Sequence, residues 1–216
     1  MREISPGRRR QRRGIHGQTV TIGVQGTGQR VGTTHFTILL ATYLAAVRGL
    51  RVAIAGLSDT DGLRQADKIH DSLCSGKGGK RLFTMYGQSG EDLVMDLLRL
   101  QGDERYDVVL IDCGDANDTR GDAPGQRMFR YCNHRYIVAN LSWWRLAECA
   151  DYLERSRNGQ QGSDFREMVG FPVVPQAAAY VKKEYGVRVR ELPYEPDPYC
   201  LHEGSLEFCE SIYHSL

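Results

Sequence analysis

The chain has 216 residues, of which 41% are hydrophobic and 25% charged, and its formal net charge at pH 7 is +1. This length and composition suit one domain of ordinary size with a substantial core. No apolar run reaches the roughly 18–20 residues that a membrane-spanning helix needs. The six cysteines form no CxxC pair, so we expect reduced thiols in a cytoplasmic protein rather than a disulfide framework or a zinc site.

The first 13 residues are strongly basic. Six arginines stand against one acidic residue there, which gives this segment a net charge of +5 and the remainder about −4. We predict that residues 1–18 are a disordered tail or linker and that residues 19–216 form a single domain. The tail is either solvated without a partner or in contact with an anionic membrane or nucleic acid through clustered arginines. These are Arg8, Arg9, Arg10, Arg12 and Arg13.

A glycine-rich turn lies between a predicted strand and a predicted helix near the start of the domain. Ile22 and Val24 indicate a short buried strand, and residues 34–48 carry apolar side chains at helical spacing. In such an arrangement backbone N–H groups and a helix N-terminus converge on a phosphate group. We therefore expect the turn and the first helical residues to bind a nucleotide. They are Gly26, Thr27, Gly28, Gln29, Arg30, Val31, Gly32, Thr33, Thr34 and His35.

The predicted helix carries signals at both ends. Thr33 or Thr34 is placed to cap its start, and Gly49 is placed to end it. A standard phosphate loop has the pattern GxxxxGK[ST], and the position of its lysine is held here by Thr33. The loop therefore departs from the standard pattern at its charged residue.

Further strands and helices alternate along the chain, with loops predicted at 75–80 and 113–125. The predicted strands are 51–55, 82–86, 106–112, 135–140, 169–174 and 187–192. The predicted helices are 63–73, 92–100, 144–155, 177–185 and one around 206–213. This alternation predicts a three-layer α/β fold, with a mostly parallel central sheet and helices on both faces. Pro172 indicates that strand 169–174 is short or lies at an edge of the sheet.

Acidic residues follow two of the predicted strands. Ligands of such folds bind at the carboxyl ends of the strands, so we expect the glycine-rich turn, Asp59 and Asp112 to lie at one edge. Asp112 ends an apolar strand in the Walker B pattern, and we assign Mg²⁺ to Asp112 and the Thr34 hydroxyl. Asp59 is the candidate catalytic residue, because a carboxylate there can orient an attacking water. A plain Asp-Gly turn at 61–62, and a loop-capping role for Asp112, are the alternatives.

Two other features of the sequence carry expectations. Trp143 and Trp144 follow strand 135–140, and we expect both to be buried, with a partner interface as the alternative for one of them. Cys113 is expected to be a small core residue rather than a nucleophile, since no histidine is placed by sequence to activate it.

The order of several segments resembles the MinD/ParA group of deviant-Walker ATPases. The segments are VQGTGQRVGTTHFTILLATYLA, RVAIAGLSDTDG, YDVVLIDCG, RYIVANLSWW and RVRELPYEPDPY. The resemblance covers nearly all of residues 19–216 and is greatest to the CpaE/TadZ-like branch. It implies a P-loop NTPase fold that binds ATP or ADP with Mg²⁺ and forms a homodimer. It also implies a role in positioning a pilus, secretion or other membrane-associated assembly, peripherally at the inner face of the membrane.

Both family lysines are replaced in this chain. The family loop has the pattern KGGxGK[ST][ST], and its two lysines fall at Gly28 and Thr33, while His35 replaces the second hydroxyl residue. Without either ammonium group, transition-state stabilisation falls by several kcal/mol. The resemblance thus implies nucleotide binding with weak or no hydrolysis. Arg30 either compensates in part or is a surface side chain.

Three functions are left open by the sequence. The first is a nucleotide-binding switch, and the second is a pseudo-ATPase scaffold that acts through protein contacts without nucleotide. The third is a dinucleotide-binding Rossmann protein, because GTGQRVG also satisfies GxGxxxG. Asp59 lies four residues beyond Ala55, which is later than a ribose-binding acid in that fold, and this disfavours the third function.

Overall fold

The computed structural model describes residues 19–57, 62–75, 82–87, 106–116, 124–158 and 167–216. These residues form a seven-stranded sheet in which every strand pairing is parallel. The basic tail, Asp59 and the predicted helix 92–100 lie outside the described residues.

The strands and helices of the described residues alternate as the sequence predicts. The strands are β1 (Val20–Gly26), β2 (Val52–Gly56), β3 (Thr84–Gly87), β4 (Val108–Asp115), β5 (His134–Leu141), β6 (Glu167–Val173) and β7 (Arg188–Glu191). The helices are α1 (Thr33–Thr42), α2 (Gly62–Ser75), α3 (Pro124–Tyr131), α4 (Leu146–Arg157), α5 (Pro175–Tyr185) and α6 (Glu203–Tyr213). A π-helical turn (Tyr43–Val47) continues α1, and a 3₁₀ turn (Trp143–Arg145) precedes α4.

The strand order is β3-β2-β4-β1-β5-β6-β7, which places β1 at the centre of the sheet. β4 lies between β1 and β2, whereas the dinucleotide-binding Rossmann order keeps the first two strands adjacent. The topology therefore differs from that of the dinucleotide-binding alternative. It brings the carboxyl ends of β1 and β4 side by side, because the two strands pair from Val20 with Val108 to Gly26 with Asp115, with one register shift after Val24.

Helices pack on both faces of the sheet. Ile22 and Val24 of β1 belong to a core that also includes Phe36 of α1 and Ile212 of α6. On the opposite face, the other core joins residues of β4 to α3 and α4, including the buried Tyr152. Central parallel strands covered on both faces are continuous hydrophobic runs, as β4 is. The predicted three-layer α/β fold is confirmed.

None of the helices in the described ranges is both long enough and apolar enough to cross a membrane.

Pro172 predicts that β6 is short or lies at an edge, and the edge alternative is wrong, because β6 is an internal strand. It pairs with β5 on one side and β7 on the other. Its pairing with β7 ends at Gly170, two residues before Pro172. The proline is tolerated because its missing N–H falls beyond the last paired residue of the β7 ladder.

The prediction misses α3 and makes the loop 113–125 too long. Residues 113–115 continue β4, and Pro124 begins α3. Two signals in the sequence were available: a proline at the first position of a helix, and the buried apolar pair Met128 and Phe129 on one side of it.

α1 begins differently from the expectation and ends as expected. The N-cap residue is Gly32, in a left-handed conformation with φ 98°, and no side chain caps the helix. The threonine cap is therefore wrong, because the glycine itself occupies the turn into the helix. Gly49 has φ 68° after the π-helical turn, which confirms it as the glycine that ends the helical segment.

The position of α3 against β4 requires a glycine at residue 125. A Cβ built there lies well inside 3.0 Å of the carbonyl oxygen of Cys113, a backbone atom. We expect Gly125→Ala to lower the free energy of unfolding by about 1–3 kcal/mol, the range of overpacking in a core. Gly204→Ala in α6 is the control, since its Cβ meets Pro193 Cβ at 3.6 Å and Cγ at 3.8 Å, which are ordinary van der Waals contacts, and alanine favours a helix. Urea unfolding with equal stability for both variants would contradict this packing.

Candidate functional site

The glycine turn (residues 26–32) follows the central strand and is fixed from both sides. The amide of Thr27 donates to the carbonyl oxygen of Val138 in β5 at 2.9 Å, and the amide of Ala116 donates to the carbonyl oxygen of Gly26 at 2.9 Å. Backbone bonds to β5 and to the end of β4 therefore hold the start of the turn at the carboxyl edge of the sheet.

The glycine turn folds tightly back on itself. A Cβ built on Gly26 lies 2.6 Å from Thr33 Oγ1 and 2.9 Å from the carbonyl oxygen of Gly28, so no side chain fits there. Val31 is buried and anchors the turn in the core beneath α1. The turn is thus a compact loop in which three of seven residues are glycines.

The turn leads directly into the N-terminus of α1. The amide of Phe36 donates to the carbonyl oxygen of Gly32 at 2.9 Å, as the first i→i−4 bond of the helix. The amides of residues 33–35 precede it and have no acceptor within the helix. Unpaired N–H groups and the positive end of the helix dipole favour an anion at this point.

The two residues assigned to Mg²⁺ from the sequence are in contact. Thr34 Oγ1 donates to Asp112 Oδ2 at 2.5 Å, and the amide of Gly114 donates to Asp112 Oδ1 at 3.1 Å. Asp112 is only 2% exposed. Burial raises the pKa of its carboxyl, and the hydrogen bonds from Thr34 and Gly114 oppose that shift. A carboxylate and a hydroxyl therefore face each other where the glycine turn meets β4.

This pair of oxygens suits magnesium better than a softer metal. Among the described residues there is no group of three His, Cys, Asp or Glu side chains that could hold a metal ion. Mg²⁺ takes oxygen ligands, keeps several waters and is commonly held by one or two protein groups together with substrate phosphates. Thr34 and Asp112 fit that ligand set, and zinc sites with three or four protein ligands do not.

His35 lies in the first turn of α1 and faces the segment after β7. Burial lowers the pKa of its imidazole, while the charges of Glu195 and Asp197 raise it. Glu195 is itself buried and accepts hydrogen bonds from the amide of His202 and from Ser205 Oγ, each at 3.0 Å. The segment between β7 and α6 is thereby fixed beside the helix start, and His35 brings no strong positive charge to the turn.

Sequence reasoning missed Arg145 and Glu148, which lie over the glycine turn. Arg145 Nη2 donates to the carbonyl oxygen of Gln29 at 2.6 Å and to Glu148 Oε2 at 2.6 Å. Their spacing of three residues at the start of a predicted helix was a visible signal for an ion pair. No signal in the sequence indicates that the pair lies against the turn, because that contact joins segments 116 residues apart.

The remaining predicted residues are placed as follows. Gly28 lies in the glycine turn and Thr33 is the first residue of α1, and the Arg30 side chain is exposed, with backbone φ 55°. Cys113 is buried, and burial raises the pKa of its thiol, which confirms it as a core residue.

The expectation that Trp143 and Trp144 are buried is wrong. They are 59% and 84% exposed, because the 3₁₀ turn that carries them lies beyond the end of β5.

The burial of Asp112 generates a pH prediction. A folded-state pKa above the ordinary value of 3.8 means that the carboxyl contributes most to stability at low pH. That contribution is lost as the pH rises through the raised pKa. We therefore expect Asp112→Asn to unfold at higher urea concentration than the nucleotide-free wild type at pH 7. The difference should shrink as the pH falls, since the wild-type carboxyl becomes neutral. A variant that is less stable by the same amount at every pH would contradict a raised pKa.

The structure resembles solved structures of a cell division protein and of a ParA family ATPase. It matches the MinD cell division protein of Aquifex aeolicus with a TM-score of 0.65 at 13% identity, over 91% of this chain and 98% of that one. The MinC:MinD cell division protein complex of the same organism matches with a TM-score of 0.65 at 14% identity, over 91% and 96% of the two chains. A ParA family ATPase of Chlorobium tepidum matches with a TM-score of 0.56 at 14% identity, over 91% of this chain and 92% of that one. No protein-family model and no curated protein sequence matches the chain. The chain therefore has the fold of MinD and of the ParA family ATPase.

Proposed function

We propose that this chain binds ATP or ADP with Mg²⁺ at the glycine turn and acts as a MinD/ParA-like switch with weak or no hydrolysis. The hydrogen bond between Thr34 and the buried Asp112 carries the proposal. A buried carboxylate that faces a hydroxyl at the start of α1 is an arrangement suited to a metal ion beside a phosphate. The fold shared with a ParA family ATPase supports it.

The backbone of the chain would do most of the binding. Amides of the glycine turn and of residues 33–35 would donate to phosphate oxygens, in the manner of other helix N-termini. Thr34 and Asp112 would hold Mg²⁺, which supplies positive charge to the phosphates when it is bound. That charge would also offset the cost of keeping an ionised Asp112 buried. Binding and the burial of Asp112 are thus linked.

The same residues support binding more strongly than hydrolysis. Neither Gly28 nor Thr33 brings a charge to the phosphates, and one lost electrostatic contact of this kind lowers a rate by a factor of about 10²–10³. Asp59, the candidate for orienting water, lies outside the described residues and keeps that role in this proposal. We infer slow turnover, or none.

The cellular role in this proposal rests on the sequence resemblance. We infer a homodimer of the CpaE/TadZ-like kind that positions a pilus, secretion or other membrane-associated assembly, with the arginine-rich tail as a contact for an anionic surface. One of the matched structures is a complex of MinD with MinC, and this supports a protein partner for a chain of this fold.

A pseudo-ATPase scaffold that binds no nucleotide is the second candidate. Glu148 and Arg145 lie against the glycine turn, and both lysine positions are uncharged. These observations favour a turn that is filled by the chain's own side chains. The scaffold predicts that ATP with Mg²⁺ produces neither calorimetric heat nor a thermal shift.

Removal of the Thr34 hydroxyl tests the metal site. We expect Thr34→Val to weaken ATP binding in the presence of Mg²⁺ by roughly 10–100-fold, the usual cost of disturbing a metal's ligand environment. With EDTA in place of Mg²⁺, the variant and the wild type should bind equally. Thr42→Val is the matched control, because the Thr42 hydroxyl donates only to the carbonyl of Ile38 within α1, at 2.9 Å. Calorimetric titration gives the affinities, and an equal loss in both variants would argue against a metal role for Thr34.

Restoration of a cation at residue 33 tests the account of hydrolysis. We expect Thr33→Lys to raise ATP turnover by on the order of 100-fold, as expected for one electrostatic contact in the transition state. Thr33→Met is the control, since it has similar length without the charge. Phosphate release measured for both variants separates charge from side-chain volume. Equal rates in the two would favour the scaffold.

A further inference from the structure

We propose that Arg145 is a phosphate-binding residue of this site and that Glu148 occupies its guanidinium until a polyphosphate arrives. The proposal rests on the proposed function of the glycine turn as a phosphate site. In it, Arg145 supplies positive charge from outside the turn, whose own arginine, Arg30, is exposed, and Glu148 is a carboxylate that competes with the ligand.

The Arg145 guanidinium lies directly on the glycine turn. Its Nη2 donates to the carbonyl oxygen of Gln29 at 2.6 Å. Its Nε and Nη2 also donate to Glu148 Oε2, at 3.1 Å and 2.6 Å. One edge of the guanidinium is therefore shared between the backbone of the turn and a carboxylate from the first turn of α4.

The Glu148 carboxylate also contacts the turn, at Gly28. A Cβ built on Gly28 would lie well inside 3.0 Å of Glu148 Oε2 and 3.3 Å from Arg145 Nη2. The carboxylate thus occupies the space that any side chain at residue 28 would enter. An anionic group beside a phosphate site repels the ligand, so Glu148 must turn away when phosphates bind.

The Arg145 guanidinium has further N–H donors for a ligand. Among the contacts of the described residues, none involves Nη1 of Arg145, which carries two N–H groups. The side chains of Arg145 and Glu148 are 20% and 42% exposed, and ion pairs with this exposure are held weakly. A polyphosphate carries more negative charge than one carboxylate and matches the planar guanidinium in geometry. The exchange of Glu148 for phosphate is therefore favourable.

Only side chains need to move for this exchange. The amide of Arg145 donates to the carbonyl oxygen of Ser142 at 3.0 Å, and Arg145 is the N-cap residue of α4. Its backbone is therefore fixed at the end of the 3₁₀ turn. The two tryptophans of the chain, Trp143 and Trp144, directly precede it and are exposed. Intrinsic fluorescence therefore reports on the surroundings of Arg145.

The test measures binding of two probes to the full chain, ATP with Mg²⁺ and inorganic tripolyphosphate with Mg²⁺. We expect Arg145→Ala to weaken both by roughly 10–100-fold, the factor for a hydrogen bond to a charged group, and Arg145→Lys to restore part of the loss. Glu148→Gln should bind both probes more tightly than the wild type. Each probe should change the tryptophan fluorescence of the wild type more than that of Arg145→Ala.

Matched variants on α4 and on the glycine turn serve as comparisons. Arg155→Ala is the arginine control, since its Nε donates to the carbonyl of Asp151 in the same helix at 3.2 Å. Glu154→Gln is the carboxylate control, at an exposed position. Arg30→Ala tests the other arginine near the phosphates. If Arg30→Ala loses affinity and Arg145→Ala binds like Arg155→Ala, the proposal is overturned while ATP binding stands.

The two probes separate this proposal from the proposed function. Wild-type binding of tripolyphosphate without binding of ATP would remove the nucleotide function, and the Arg145 variants would still decide the present proposal on tripolyphosphate. Failure of both probes to bind the wild type and Glu148→Gln would overturn both proposals. Equal affinities of Glu148→Gln and Glu154→Gln would overturn the competing role of Glu148.

Discussion

The hydrogen bond from Thr34 to the buried Asp112 joins the glycine turn to the centre of the sheet. It depends on the parallel pairing of β1 and β4, which places the ends of the two strands side by side. Burial makes the negative charge on Asp112 costly, as the raised pKa of its carboxyl indicates. A nearby cation would remove that cost. A metal ion would therefore stabilise the ionised form of Asp112. The carboxylate lies beside the N-terminus of α1, where the helix dipole favours anions.

The balance of charge at the turn separates binding from catalysis. Backbone amides and a helix dipole supply partial positive charge without any side chain, and they are fixed by the bonds that hold Gly26 and Thr27 to neighbouring strands. Full positive charge comes in our account from Mg²⁺ and from Arg145, which approaches from α4 rather than from the turn. In our proposal, a site of this composition binds phosphate. The ability of this site to stabilise a transition state depends on how completely the ion pair between Arg145 and Glu148 breaks when phosphates bind.

The sequence predicted the features that depend on local pattern. The buried runs around Ile22 and Leu110, the glycine turn and the alternation of strands and helices give the three-layer fold, and the Walker B pattern identified Asp112. Long-range contacts that do not follow from the order of strands and helices were not predictable in this way. The contact of Arg145 with Gln29 is set by tertiary packing, as is the internal position of β6 despite Pro172. The exposure of Trp144 was not predicted, because tryptophan side chains are usually buried. Here the 3₁₀ turn that carries Trp144 lies beyond the end of β5.

The most direct test of the central claim is a crystal structure of the full chain with a non-hydrolysable ATP analogue and Mn²⁺ in place of Mg²⁺. The anomalous signal of manganese locates the metal independently of the nucleotide. The account predicts a manganese peak bonded to Thr34 Oγ1, beside Asp112, with the phosphates on the amides of residues 28–35. Phosphates bound away from the glycine turn, or a manganese peak remote from Thr34 and Asp112, would contradict it.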